Sequence, residues 1–418
     1  MTRIEELKIG IVGGGPSGLA ITRMLQQNGF LNIKIYERDK NRSCRPQGAS
    51  IDLCKHLGQK LIKEAGLKKE FSLKSRPEGE CYTFMDTQGN VKARRPFLKI
   101  NSTRPEIDRG DLRDILLDSL FENTIEWDCH FKNLNKLDNG QVELVFNDGE
   151  KKEIVDFVIG CDGVNSKVRG YITDIKPLYL GITMIEGEII DPINTCPQMY
   201  ELVHQGLSFT LADGIVFLGQ QKTDGNMLIT IAQMVPEDWI KTKGFDFKSL
   251  DRMQEIKDYI KKELIPNWDP MYHKLVDDCS GLYKPRLLLQ APLDQKWESK
   301  SNLTIIGDAA HAISPFAGLG CNIALYDSLK LGRLLIKNKN KISTPIVLQG
   351  IISSFEKEMI SFWKPLALIT MSNEQMVFKA DTKTLLKKRF GNLYFTKNYL
   401  QSIFNFVNNF TDFLKITS

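Results

Sequence analysis

The sequence predicts an α/β fold: a discontinuous parallel-sheet domain, an inserted antiparallel β-sheet domain and a C-terminal helical segment. Three observations carry this. Ile9–Val12 is a short apolar run that meets a glycine turn and then a helical pattern. Between Leu180 and Val235 the chain turns to short β-rich runs separated by Asp213-Gly214 and Asp224-Gly225. Beyond that insertion a second strand–glycine–helix arrangement returns, with Leu303–Ile306 running into a glycine-rich stretch that ends at Asn322.

The first turn has the spacing G-x-G-x-x-G at Gly13, Gly15 and Gly18, with Pro16 and Ser17 opening the helix. Gly13 permits the tight turn, Gly15 lets backbone approach a pyrophosphate, and Gly18 lets helix pack on strand. The helix start then offers free N–H groups and a positive dipole end to phosphates. Leu19–Asn28 reads as this helix, closed by Gly29, and Ile33–Tyr36 as the second strand. Glu37 ends that strand, about 20 residues after the turn, where such a fingerprint needs an acid. A carboxylate there can accept both hydroxyls of an adenosine ribose and repels a 2′-phosphate. The spacing therefore favours FAD or NAD over NADP as the held nucleotide.

Ser43–Leu53 reads as a loop into the next element, and Leu57–Leu67 as a helix closed by Gly66. Cys81–Met85, Val91 and the stretch to Pro105 have no helical period and read as short strands and loops. Gly110–Leu120 is a helix with Leu112, Ile115, Leu116 and Leu120 in one stripe, Asp111 in its first turn and Arg113 off the stripe. Strands are expected at Thr124–Asp128, Val142–Phe146 and Val155–Ile159. The third leads into Cys161-Asp162-Gly163 and a helix start. After the β-rich insertion come a helix from Asp251 to Leu264 and another from the second glycine loop to about Lys337. Ile346–Phe378 is helical, with Pro365 an expected kink or break. The terminal Ile403, Phe406, Phe410 and Phe413 recur at helical spacing and are expected to dock on the protein's own body. The expected domains are 1–73, 104–175 and 282–345 for the nucleotide domain, 74–103 and 176–281 for the β-sheet substrate domain, and 346–418 for the C-terminal helical segment.

Composition narrows the class. With 56 basic against 51 acidic residues in 418, the net charge of +5 is too weak to argue for nucleic acid. Eight scattered Cys without a C-x-x-C pair give no zinc or disulfide framework, so no metal is expected. No uninterrupted apolar stretch reaches membrane length and no apolar signal region precedes the glycine turn. A cytoplasmic monomer is the expectation.

Gly13-x-Gly15-x-x-Gly18 with Glu37, then Asp162-Gly163, then Gly307-Asp308, in this order and separation, resemble the class A flavoprotein monooxygenases, the group of para-hydroxybenzoate hydroxylase. Within that group Tyr36-Glu37-Arg38-Asp39, Asp111-Leu112-Arg113, Ser166-Lys167-Val168-Arg169 and Gly307-Asp308-Ala309-Ala310-His311 look similar to the tetracycline-inactivating flavin monooxygenases. The resemblance implies a Rossmann-like FAD-binding domain. It gives Glu37 the adenosine ribose, Arg38 the adenine side, Arg113 the phosphate and ribityl region, and Asp308 a ribityl hydroxyl. Asp162 and Gly163 match a motif tied to FAD and NAD(P)H. Pro315, Gly318, Leu319, Gly320, Cys321 and Asn322 would lie along the flavin ring. It also implies the reaction: NADPH or NADH as transient reductant, O2 as co-substrate, and one oxygen atom passed from a flavin hydroperoxide to an aromatic or polyketide-like molecule. No side chain is assigned as catalytic, because the flavin carries the chemistry. His311 is read as a packing and hydrogen-bonding residue behind the flavin loop.

The sequence departs from the tetracycline enzymes in the substrate pocket. Alignment puts Glu186, Leu207 and Leu228 where those relatives carry polar side chains, beside Pro315, Phe316 and Gly318. Each lost buried hydrogen bond costs on the order of 1–3 kcal/mol for a polar ligand. A flatter, more apolar aromatic substrate is expected, with inactivation of tetracycline, and hence antibiotic resistance, as the alternative. A flavin halogenase is disfavoured because the five Trp are isolated. A flavoprotein that uses no oxygen, or only binds a ligand, stays open.

Overall fold

The computed structural model describes residues 6–95, 103–203, 205–342, 345–379 and 381. A five-stranded parallel sheet forms one layer. Its order is Leu303–Ile305, Phe157–Gly160, Ile9–Val12, Ile33–Tyr36 and Ile125–Glu126. Ile9–Val12 is central and wholly buried, as expected of a parallel strand covered on both faces. Helices Pro16–Gln26 and Gly320–Lys337 pack on each other beside it. Gly332 faces Ile21 and Met24 across this contact.

The second layer is a seven-stranded, mostly antiparallel sheet. Its order is Ser280–Gln290, Leu178–Ile189, Met227–Met234, Ile215–Gln221, Leu207–Ala212, Tyr82–Met85 and Val91–Arg95. One face packs under helices Trp239–Lys243, Met253–Tyr259 and Pro270–Asp278. Between the layers lies a two-stranded ribbon, Ser50–Asp52 paired with Glu106–Asp108. A three-stranded antiparallel sheet, Phe131–Lys136, Val142–Phe146 and Lys151–Val155, completes the α/β part.

Several elements differ from expectation. Pro365 neither ends nor splits its helix, which runs unbroken over Pro345–Phe378. Buried Met359, Trp363, Leu366, Ala367 and Thr370 anchor both sides of the proline, so packing outweighs the lost backbone bond. The expected helix over 57–67 is Gly58–Glu64, and a second helix, Lys68–Lys74, follows it. Asp251–Leu264 is a composite: a 3₁₀ turn at Leu250–Arg252, α-helix over Met253–Tyr259 and a π turn at Ile260–Leu264. Strand Ser280–Gln290 runs across the expected boundary at 281/282 and pairs with Leu178–Ile189. Ile403, Phe406, Phe410 and Phe413 lie outside the described residues. Among the described residues no helix is long and apolar enough to cross a membrane.

Candidate active site

Four sequence motifs meet because they follow four neighbouring parallel strands. Gly13 follows Ile9–Val12, Glu37 follows Ile33–Tyr36, Asp162 lies just past Phe157–Gly160, and Gly307-Asp308 just past Leu303–Ile305. All four therefore sit at the carboxyl edge of one sheet, the usual place for a ligand in such a fold.

The first turn separates its glycines by what they face. Gly13 has φ +107°, and a Cβ on it would stand 2.4 Å from the Cys161 carbonyl oxygen. A Cβ on Gly18 would stand 2.1 Å from the carbonyl oxygen of Gly13. Both close the strand–helix turn on protein. A Cβ on Gly15 would meet nothing within 4 Å. Gly15 is also the N-cap of Pro16–Gln26, and no side chain caps that helix. Its first N–H groups are left for another partner. A pyrophosphate fits here on shape and charge. Ser17 is buried at the helix start.

Glu37 is buried. Its two oxygens accept from the Gly14 N–H at 2.6 Å and the Asp39 N–H at 2.9 Å. The carboxylate is thus fixed beside the glycine turn and keeps further lone pairs. Arg38 is exposed next to it. Arg113 is buried behind this corner. It donates to the Arg42 carbonyl at 2.9 Å and to Asp39 at 3.3 Å, with its guanidinium 5.3 Å from the Trp127 ring. In this structure Arg113 braces the loop after Glu37.

Asp162 Oδ2 accepts the N–H groups of Lys167 at 2.8 Å and Val168 at 3.2 Å, so it caps the turn that Gly163 opens at φ +80°. Asp308 is exposed and lies beside Arg169, Lys176 and Gln295. Surrounding protein that limits its solvation raises its carboxyl pKa, while His311, Arg109 and Arg286 act the other way. An exposed carboxylate at this strand end can accept hydrogen bonds from a polyhydroxyl chain.

His311 is buried, 2.6 Å from Asp327 and stacked on Trp363. Burial opposes its charge, but Asp327 outweighs that and holds the imidazole above its ordinary pKa. The same Asp327 oxygen accepts the Gly307 N–H at 3.0 Å. His311 thus lies behind the Gly307 turn, sharing Asp327 with it.

The second glycine loop carries Pro315–Ala317 as a 3₁₀ turn, Gly318 in the left-handed region and then the helix Gly320–Lys337. Leu319 and Asn322 are wholly buried, backbone included, whereas Gly318 is exposed and Gly320 half-buried. Cys321 is half-buried, and its protein surroundings push the thiol up to about 12, which keeps it neutral.

Glu186, Leu207 and Leu228 share one face of the seven-stranded sheet. Leu207 pairs with Gln220, Gln220 with Leu228 and Leu228 with Glu188, two residues beyond Glu186. Cross-strand partners point the same way. The same face carries Phe84 stacked on Phe209 and packs against Phe316. Glu186 lies 3.2 Å from Arg286, so the acid is paired.

Sequence reasoning missed Arg109, Arg286 and Gln220. Arg109 stands four residues before Arg113, one helical turn away, a spacing that could have flagged it. Arg286 and Gln220 become site candidates only through strand register.

The sequence profile of the family described as "FAD binding domain" matches residues 6–342. The monooxygenase asqM of Emericella nidulans is 24% identical over 445 residues, spanning 92% of this chain and 98% of that protein. The 6-hydroxynicotinate 3-monooxygenase of Pseudomonas fluorescens is 25% identical over 348 residues, 78% of this chain and 82% of that one. Among solved structures, the tetracycline destructase Tet(51) superposes with a TM-score of 0.66 at 20% identity, covering 95% of this chain and 96% of its own.

Proposed function

This chain belongs to the FAD binding domain family, and from that premise we propose that it is a class A monooxygenase driven by NAD(P)H. It places one oxygen atom of O2 on an aromatic or polyketide-like small molecule. The observation that carries the reading is the convergence of Gly15, Glu37, Asp162 and Asp308 on the carboxyl edge of one parallel sheet, opposite the half-exposed face of the other. Bound FAD supplies the redox chemistry, reduction by a nicotinamide and reaction with O2.

The chain's own residues bind, orient and exclude water. Gly13, Gly15 and Gly18 with Pro16 and Ser17 shape the phosphate cradle. Glu37 holds the ribose, with Arg38 beside the adenine. Asp308 takes a ribityl hydroxyl, and Arg109 and Arg286 offset its charge. The Pro315–Asn322 loop borders the ring, with the uncapped end of helix Gly320–Lys337 favouring negative charge there. Leu207, Leu228, Phe209 and Phe316 present apolar surface to a planar ring, and Gln220 and Glu186 offer polar contacts at its edge. Excluding water from such a site protects the reactive oxygen species.

Tetracycline as substrate is the second reading, favoured by the structural likeness to Tet(51). Leu207 and Leu228 weigh against it. One assay separates the two. The purified protein is loaded with FAD, and NADPH and NADH oxidation is followed with tetracyclines and with phenolic compounds. Stimulation by phenolics with a product heavier by one oxygen supports the first reading. Tetracycline turnover supports the second, and a chain that takes up no FAD refutes both.

A further inference from the structure

Gln220 lies on the strand Ile215–Gln221, directly opposite Leu207 on one side and Leu228 on the other. Those leucines, with Leu218 and Phe209, make up the half-buried end of that sheet face. Gln220 itself is only 7% exposed. Its Nε2 donates to the Ser50 carbonyl at 3.4 Å and to Glu106 Oε2 at 3.2 Å, both on the ribbon between the layers. Both amide hydrogens are thereby used.

These bonds fix which way round the amide sits. A backbone carbonyl can only accept, so the amide nitrogen faces Ser50 and the amide oxygen turns away from it. No group among the described residues donates to that oxygen, and it keeps contact with solvent. The oxygen can only accept, and its cross-strand neighbours Leu207 and Leu228 have no side-chain donor to offer. Thr230 stands two residues beyond Leu228 on the same face. It too is 7% exposed, and its hydroxyl bonds no group among the described residues. Glu186, directly opposite Thr230, is already paired with Arg286. An apolar field thus holds one oriented acceptor and one hydroxyl, both without a protein partner.

We propose that Gln220 is a specificity-determining residue: its amide oxygen, oriented by Ser50 and Glu106, selects a planar substrate whose edge carries an O–H or N–H donor, with Thr230 as a second polar contact. This rests on the monooxygenase reading and adds the chemistry by which the site chooses its substrate. It differs from a purely structural role in one respect. Tying the sheet to the ribbon uses only the amide nitrogen, so losing that tie weakens all ligands alike. Losing the oxygen changes the ratio of affinities for a donor and its methylated analogue.

The test uses FAD-loaded wild type, Gln220→Met, Gln220→Lys and Thr230→Val. Each is titrated, by flavin absorbance and fluorescence, with naphthol and its methyl ether and with indole and N-methylindole. Wild type should bind the donor of each pair at least about tenfold more tightly than its methylated partner. Gln220→Met should reduce that preference to about twofold or less. Gln220→Lys still offers a donor to Ser50 and Glu106 but has no acceptor, so it should lose the preference as well. Thr230→Val should fall between. Comparing ratios across the variants cancels the bulk of the added methyl group. If Gln220→Met does not fold, Gln220→Lys carries the same test. Wild type that binds both members of each pair alike, or none of the four, overturns the assignment. So does a wild-type ratio in the Gln220 variants, even where both affinities fall together. Wild type that takes up no FAD refutes the parent reading, a result distinct from FAD-loaded protein that ignores the donor.

Discussion

The two faces of the seven-stranded sheet are built to different rules. On the face under the helices, Met85, Ile185, Phe217, Ile229 and Ile231 are buried to 1% exposure or less. Phe217, Trp268 and Tyr272 pack edge to face there, and the Tyr272 hydroxyl bonds both Thr210 at 2.8 Å and the Asp86 carbonyl at 2.7 Å. On the face toward the glycine loops, Tyr82, Phe84, Leu207, Phe209, Leu218 and Leu228 are only half-buried. The same strands thus close one face and leave the Leu207–Leu228 end of the other half-open, while Met184, Leu211 and Val216 on that second face are buried against Phe378. That half-open end, more than hydrophobicity, marks where a ligand belongs.

The comparison predicts a graded set of effects. Phe217→Ala on the covered face should cost about 3–5 kcal/mol by denaturant unfolding; a loss under about 1 kcal/mol would break the distinction. Gly18→Ala places a methyl against the Gly13 carbonyl and should cost roughly 3 kcal/mol, lowering apoprotein and holoprotein stability alike.

Glu106, on the ribbon between the layers, sharpens the contrast by titration. Burial pushes its carboxyl up to about 8, against the pull of Arg76 at 3.7 Å and the hydrogen bond from Gln220 at 3.2 Å. The folded value lies above the unfolded one, near 4.5. The native state therefore holds the proton more tightly, and stability falls as pH rises from about 4.5 to about 8. Unfolding measured across that window should show wild type losing stability relative to Glu106→Gln by up to about 1.4 kcal/mol per pH unit. Parallel curves would mean Glu106 is already ionised.

Two smaller effects lie on the open side. Leu228→Ala should cost about 1 kcal/mol of stability, since half the side chain is already exposed, while altering substrate-stimulated NAD(P)H oxidation. Gly15→Ala should change apoprotein unfolding by less than about 0.5 kcal/mol, yet weaken FAD at least tenfold by fluorescence titration. Equal losses in Gly15→Ala and Gly18→Ala would erase the difference between cradle and hinge.

Much of this was legible in the chain. The glycine spacing, Glu37 and the two later glycine motifs stand out because each needs a special backbone or a fixed offset, and such needs survive in single residues. The β-rich insertion was legible from its turn signals. What was not legible depends on register or on packing at a distance. Gln220 joins Leu207 and Leu228 only through strand pairing. Arg104 meets Gly318 across 214 positions, with no local pattern to announce it. Pro365 was misread because local propensity was weighed without the buried Trp363 and Leu366 that hold the helix together.

The most direct test of the central claim is a turnover under isotopically labelled O2, with FAD-loaded protein, NADPH and the phenolic substrate that stimulates oxidation best. Monooxygenation predicts one labelled oxygen atom in the product and none taken from water. A product without label, formed while NADPH is consumed and FAD stays bound, would contradict it.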